Sequence, residues 1–206
     1  ADSLVLSTGS KLENIAKEID EVLNGAITSL ITSGDFSGKA SETCVLRNLN
    51  MPFKRIILLG TDGASSPQKI IKAIEAGASA VFKTPAVNVV WAADGLAKDH
   101  HWQASIIARS TITAAYNYSG TGKKPEPKKL KTTTYWCASE SDSDAAENGL
   151  NYGGAVGNGM NTARQLGNLP ANVCTPNYLA DQAKQLAEGQ DNLTTSILSE
   201  AQMQEL

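Results

Sequence analysis

Residues 161–187 read NTARQLGNLPANVCTPNYLADQAKQLA, and this stretch decides how the chain divides. Met160, Ala163, Leu166 and Leu169 recur near helical spacing, while Gly167, Asn168 and Pro170 are stop signals. The pattern predicts a helix that ends just before Pro170 and a short irregular link after it. Thr175 then reads as an N-cap with Pro176 in the first turn, where a proline's missing N–H has no helical partner to lose. Leu179, Ala183, Leu186 and Ala187 share one face of the helix that follows. The stretch joins a long layered unit on its left to a short piece on its right.

Working leftward, residues 139–144 are polar and acidic, and Asp144 and Glu147 suit the positive end of a helix running to about Gly167. Residues 132–137 are β-rich. Residues 119–131, rich in Gly, Pro and Lys, read as a surface loop. His101 to Tyr116 reads as a helix with Ile106, Ile107, Ile112 and Ala115 toward the core. Val87, Val89, Val90 and Trp91 form a strand, and Ser66-Pro67 opens a helix carrying Ile70, Ile71, Ile74 and Ala78. Residues 56–59 are continuously apolar, as a strand buried on both faces requires. Residues 43–49 alternate, and the turn at residues 50–52 makes those two strands an antiparallel pair. Leu4, Val5 and Leu6 form a first strand. Ser10 and Glu13 read as a capping box for a helix with Leu12, Ile15, Ala16, Ile19, Val22 and Leu23 on one face. Alternation of this kind predicts an α/β layered fold, a mixed sheet with helices on both faces.

To the right, residues 193–198 read as a strand, and Ser199 with Gln202 as a second capping box. A lone strand between short helices buries little apolar surface, so this piece is expected to need a partner.

Arg164, Leu166, Asn168, Pro170, Asn172, Thr175, Pro176, Leu179 and Ala180 together spell R-x-L-x-N-x-P-x-N-x-x-T-P-x-x-L-A. That pattern resembles the segment entering the catalytic domain of the leucine aminopeptidase (cytosol aminopeptidase) family, bacterial type. GDFSGK at residues 34–39 and RIILLG at residues 55–60 are similar to the same family's N-terminal domain. The resemblance implies a macro-domain-like three-layer α/β/α sandwich over residues 1–141. It further implies a linker helix over residues 142–169 and the truncated start of a catalytic peptidase domain, part of a second α/β domain, over residues 170–206. It implies a whole enzyme that removes N-terminal residues from peptide substrates with two divalent metal ions, Mn or Zn. Two such metals polarise a carbonyl and activate a bridging water, which explains the family's demand for carboxylates. A cytoplasmic homo-oligomer, a hexamer in the family, is implied as well. The family's N-T-D-A-E-G-R-L signature is absent from these residues, so no catalytic or metal-binding residue is assigned and the segment alone is expected to be inactive. Its expected work is assembly and control of access.

Composition agrees with a globular protein: 41% hydrophobic, 19% charged and net charge −3 exclude a globally basic nucleic-acid binder. No run of about 18 apolar residues exists to cross a membrane, and the N-terminus carries no basic-then-apolar leader pattern. Cys44, Cys137 and Cys174 are odd in number and widely spaced, which favours a reducing compartment over a disulfide framework.

Other constellations have simpler explanations. Adjacent His100 and His101 diverge by about 100° on a helix, which makes them a poor chelating pair and a plain exposed helix start. Asp94 and Asp99 suit a loop and a cap. Residues 141–144 lack the spacing of a calcium loop. Gly149, Gly153, Gly154, Gly157 and Gly159 follow no strand and have the wrong order for a dinucleotide fingerprint, so close helix packing explains them. Residues 60–63 form an ordinary turn between strand and helix, which leaves an ADP-ribose-binding reading without a phosphate loop. Arg164 suits an ion pair or a helix C-terminus. Lys123, Lys124, Lys128, Lys129 and Lys131 cluster in one loop. A solvated basic loop accounts for them, and the alternative is a DNA-binding accessory module whose phosphate contacts they would make.

Overall fold

The computed structural model describes residues 1–47, 49, 51–93, 96–97, 99–118 and 126–206. Its core is a five-stranded sheet: β1 (Ser3–Thr8), β2 (Thr43–Arg47), β3 (Arg55–Gly60), β4 (Asn88–Ala92) and β5 (Thr132–Tyr135). The strand order is β2-β3-β1-β4-β5. β1 pairs in parallel with β3 and β4, β4 in parallel with β5, and edge strand β2 runs antiparallel to β3. The mixed sheet expected from the short turn after residue 49 is therefore present.

Strand alternation assigns each side chain to a layer. Leu4, Leu6, Ile56, Leu58 and Ala92 face α1 (Asn14–Val22) and α2 (Ala26–Ser33), with Phe36 and Ile27 sealing that layer. Val5, Ile57, Leu59, Val89 and Trp91 face the opposite way, toward α3 (Pro67–Phe82) and α4 (His100–Ala115). Every residue of β1 and β3 is buried, as their unbroken apolar runs predict.

Local chemistry explains several boundaries. Ser66 accepts the Lys69 N–H at the start of α3, and Asp99 accepts the Trp102 N–H at the start of α4. The Ser10–Glu13 capping box does not form. α1 begins at Asn14, because the Ser10 amide donates instead to Asp62 Oδ2 at 2.7 Å and Glu13 pairs with Lys11 at 2.8 Å. Val22, expected on the buried face, is 62% exposed, since α1 stops there and the chain turns away. α2 has no counterpart in the sequence reading. It is nucleated from a distance: buried Asp20 accepts the Ile27 and Thr28 amides and the Thr28 hydroxyl, acting as a cap from seven residues upstream.

After β5 a single 3₁₀ turn (Glu140–Asp142) leads into α5 (Ser143–Asn168), which lies parallel to α4 along most of its length. Gly149, Gly153 and Gly157 form the seam. A Cβ on Gly149 or Gly153 would collide with the carbonyl oxygen of His101 or Ser105, and one on Gly157 would press on Ile112 at 3.0 Å. Close packing, expected of five glycines, holds for these three; a Cβ on Gly154 would meet only Ile112 Cδ1 at 3.9 Å, and one on Gly159 would meet nothing within 4 Å. α4 is consequently sandwiched between sheet and α5, and residues 103–108 are buried all round. Ile112, expected in the sheet core, packs against α5 instead.

Beyond α5 come α6 (Pro176–Ala187), capped by Thr175, and α7 (Glu200–Gln204), whose Ser199–Gln202 capping box is formed on both sides. Residues 193–198, expected as a strand, join no sheet, because no described strand lies beside them to complete a ladder. Leu179, Leu186, Leu193, Ile197, Leu198 and Met203 are all exposed.

Candidate functional site

In doubly wound sheets, ligands collect beyond the carboxyl ends of strands whose following helices lie on opposite faces. β1 and β3 meet this condition, and a cleft of about 210 Å³ sits there, lined by Thr8, Gly9, Lys11, Asn14, Thr61 and Asp62 among others. Its chemistry is unsuited to phosphate. The Asp62 carboxylate fills the space over Gly9, where a Cβ would strike it, and accepts the Ser10 amide. The Lys11 ammonium is held by Glu13. The turn at residues 60–63 is thus more than a connection, since Asp62 stitches the ends of two strands together. Asp62 carries no signal in sequence, because its partners lie about fifty positions upstream.

A second cleft, of about 490 Å³, lies beyond β4 and β5 at the start of α4 and α5. Here the expectation of a freely exposed histidine pair is corrected. His101 is exposed, but the His100 side chain bridges two elements: Nδ1 lies 2.9 Å from the Tyr135 hydroxyl and Nε2 lies 3.4 Å from Asp142 Oδ2. Tyr135, His100 and Asp142 hold β5, α4 and the turn before α5 together. Residues 140–142 form the 3₁₀ turn, and Asp144 lies in the first turn of α5, the helix start expected of it. Asp94 lies outside the described residues.

Among the described residues, no group of three or more His, Cys, Asp or Glu side chains could hold a metal ion. The donors among the described residues do not fit a two-metal centre. Burial, helped by the nearby Asp35 and Glu42 carboxylates, pushes the Cys44 thiol up and away from nucleophilic character. Of the five loop lysines, Lys123 and Lys124 lie outside the described residues. Lys128, Lys129 and Lys131 are exposed, and the Lys128 ammonium sits 5.5 Å from the centre of the Phe82 ring. No helix among the described residues is long and apolar enough to cross a membrane.

A further polar arrangement, structural in role, lies where α4 ends against α5. Asn161 Nδ2 donates to the Ile112 carbonyl at 3.0 Å, and Arg164 Nη1 to the Thr113 carbonyl at 3.3 Å. The last carbonyls of a helix lack partners of their own, and a cation there also faces the negative end of the dipole. Arg164 therefore takes the helix C-terminal role expected of it, on the neighbouring helix. The Tyr116 hydroxyl donates to Gln165 Oε1 at 3.2 Å and accepts from Asn168 Nδ2 at 3.0 Å.

Residues 4–125 match the model of the cytosol aminopeptidase family, N-terminal domain. The chain belongs to this family. The family chain is 32% identical to the cytosol aminopeptidase of Pseudomonas aeruginosa over 98% of its own length and 42% of the relative's. It is 35% identical to a probable cytosol aminopeptidase of Alkalilimnicola ehrlichii, over 95% of itself and 41% of the relative. A tomato leucine aminopeptidase mutant superposes with a TM-score of 0.82 and 27% identity, covering 99% of this chain and 43% of that one. The bottromycin maturation enzyme BotP shares the fold at 18% identity with a TM-score of 0.74, and a second BotP structure, described as a complex with Mn, does so at 0.67. The chain therefore spans about two fifths of the curated relatives it matches, as their N-terminal portion. None of these relatives is named for nucleic-acid binding.

Proposed function

We propose that this chain is the non-catalytic N-terminal portion of a metal-dependent aminopeptidase that hydrolyses N-terminal residues from peptides with two divalent metals. The observation that carries the reading is the match over nearly the whole chain to less than half of a leucine aminopeptidase. The metal ligands, reacting water and carbonyl-polarising groups belong to the remaining part of the enzyme. Manganese is the metal to try first, because one structural neighbour is described as a complex with Mn. The polypeptide acts in the cytoplasm. Its layered unit serves assembly, as a hexamer, and governs access to the peptidase sites. The exposed leucines of α6 and the apolar residues after it would then be covered by the peptidase part.

A leucyl-amide hydrolysis assay with Mn²⁺ tests this. A polypeptide extended to the length of the relatives should turn the substrate over, while residues 1–206 alone should not. Turnover by the 206-residue chain, or a metal-loaded extended protein without peptidase activity, would overturn the reading.

A further inference from the structure

Residues 142–169, expected as a linker helix, contain α5, and α5 is fastened to the layered unit along its length. His100 holds Asp142 at its beginning, the glycine seam holds its middle against α4, and Asn161, Arg164 and Asn168 hold its last turns. Tyr116 lies at the centre of the last group. It follows the end of α4, its hydroxyl engages both Gln165 and Asn168, and the Arg164 guanidinium lies 6.0 Å from the centre of its ring. Asn168 is the final residue of α5. The next residues are held differently. Val173 and Cys174 amides donate to the Pro170 carbonyl, and the Thr175 amide to the Val173 carbonyl. Among the described residues, the hydrogen bonds of residues 170–175 stay within that turn and the start of α6.

We propose that α5 is a rigid arm of the first unit, pinned at its far end by Tyr116, and that the chain bends at residues 169–175. Where two units share one polypeptide, motion concentrates in the segment with the fewest contacts to either. Tyr116 and Arg164 are then positioning residues: they fix where α5 ends and hence the point from which the second unit swings. Only the identity of that second unit rests on the aminopeptidase reading.

Amide hydrogen exchange on the 206-residue chain tests the proposal without reference to any activity. Amides of residues 161–168 should exchange with the slow class of α4, and those of residues 171–175 markedly faster. Tyr116→Phe removes one oxygen and keeps the ring. It should speed exchange at residues 161–168 by roughly tenfold or more, the equivalent of the two hydrogen bonds the hydroxyl makes, while leaving β1 and β3 unchanged. Arg164→Ala should act in the same direction and Arg164→Lys should recover part of the loss, since lysine restores the charge but not the planar fork. Equal exchange at residues 161–168 and 171–175 in the unaltered chain would overturn the proposal. So would Tyr116→Phe and Arg164→Ala variants that both leave residues 161–168 as protected as before. A failed peptidase assay leaves these measurements valid, so the two readings fail separately.

Discussion

Gly153 on α5 lies against the backbone carbonyl of Ser105 on α4 so closely that no methyl group fits between them. A carbonyl in a helix cannot turn aside as the tip of a flexible side chain can. Gly153→Ala should therefore force the helices apart. An overpacked contact costs about 1–3 kcal/mol, which outweighs the roughly 1 kcal/mol that alanine gains over glycine in a helix. The expected result is a melting temperature lower by roughly 2–4 °C per kcal/mol lost.

Gly159 is the matched control on the same helix. Nothing lies within 4 Å of a Cβ placed there. Gly159→Ala should raise stability by up to about 1 kcal/mol through helix propensity alone. Thermal unfolding of the two variants should move in opposite directions; movement in the same direction would remove the seam as the explanation.

Asp20 lies in α1 but caps the following helix, α2. It is buried, and its two oxygens take the Ile27 and Thr28 amides and the Thr28 hydroxyl. Asp20→Ala should cost about 1–2 kcal/mol, as loss of a strong cap does, and expose α2 amides to exchange. Asp20→Asn keeps one acceptor oxygen and should fall between the two in chemical denaturation.

Asp2 gives the chain an acid sensitivity of defined sign. Burial pushes its carboxyl up, but the Asn88 and Val87 amides, the Arg55 guanidinium and the Ser3 hydroxyl together hold it below its ordinary value of 3.8. A carboxyl depressed on folding contributes stability that is complete above the unfolded value and is lost as pH falls through the folded one. The unaltered chain should therefore exceed Asp2→Asn in stability at neutral pH, and the gap should close as pH falls below the ordinary carboxyl value of 3.8 and the Asp2 carboxyl takes up its proton. A gap that stays constant with pH would show that the carboxyl's charge is not what matters.

Much of this architecture was legible in the residues themselves. The unbroken apolar runs of β1 and β3, the Ser66-Pro67 and Thr175-Pro176 caps and the short turn before β3 report on neighbours a few positions away. α2 was not legible, because its cap is supplied by Asp20 across the turn at Gly25 rather than by a residue at its own start. The strand expected at residues 193–198 failed for the converse reason: β-rich sequence makes a ladder only where a partner strand is present.

What the sequence by itself determined is the order of the elements, their layering and the family pattern that ends at the joint, since hydrophobic period and capping act over one or two turns. Only the tertiary structure decided that Asp62 would fill the cleft above Gly9, that His100 would bridge Tyr135 and Asp142, and that Tyr116 would hold the end of α5. Each of those pairings joins groups some thirty-five to fifty-five positions apart, and no local periodicity reports on a partner that arrives only when the sheet and its helices have packed.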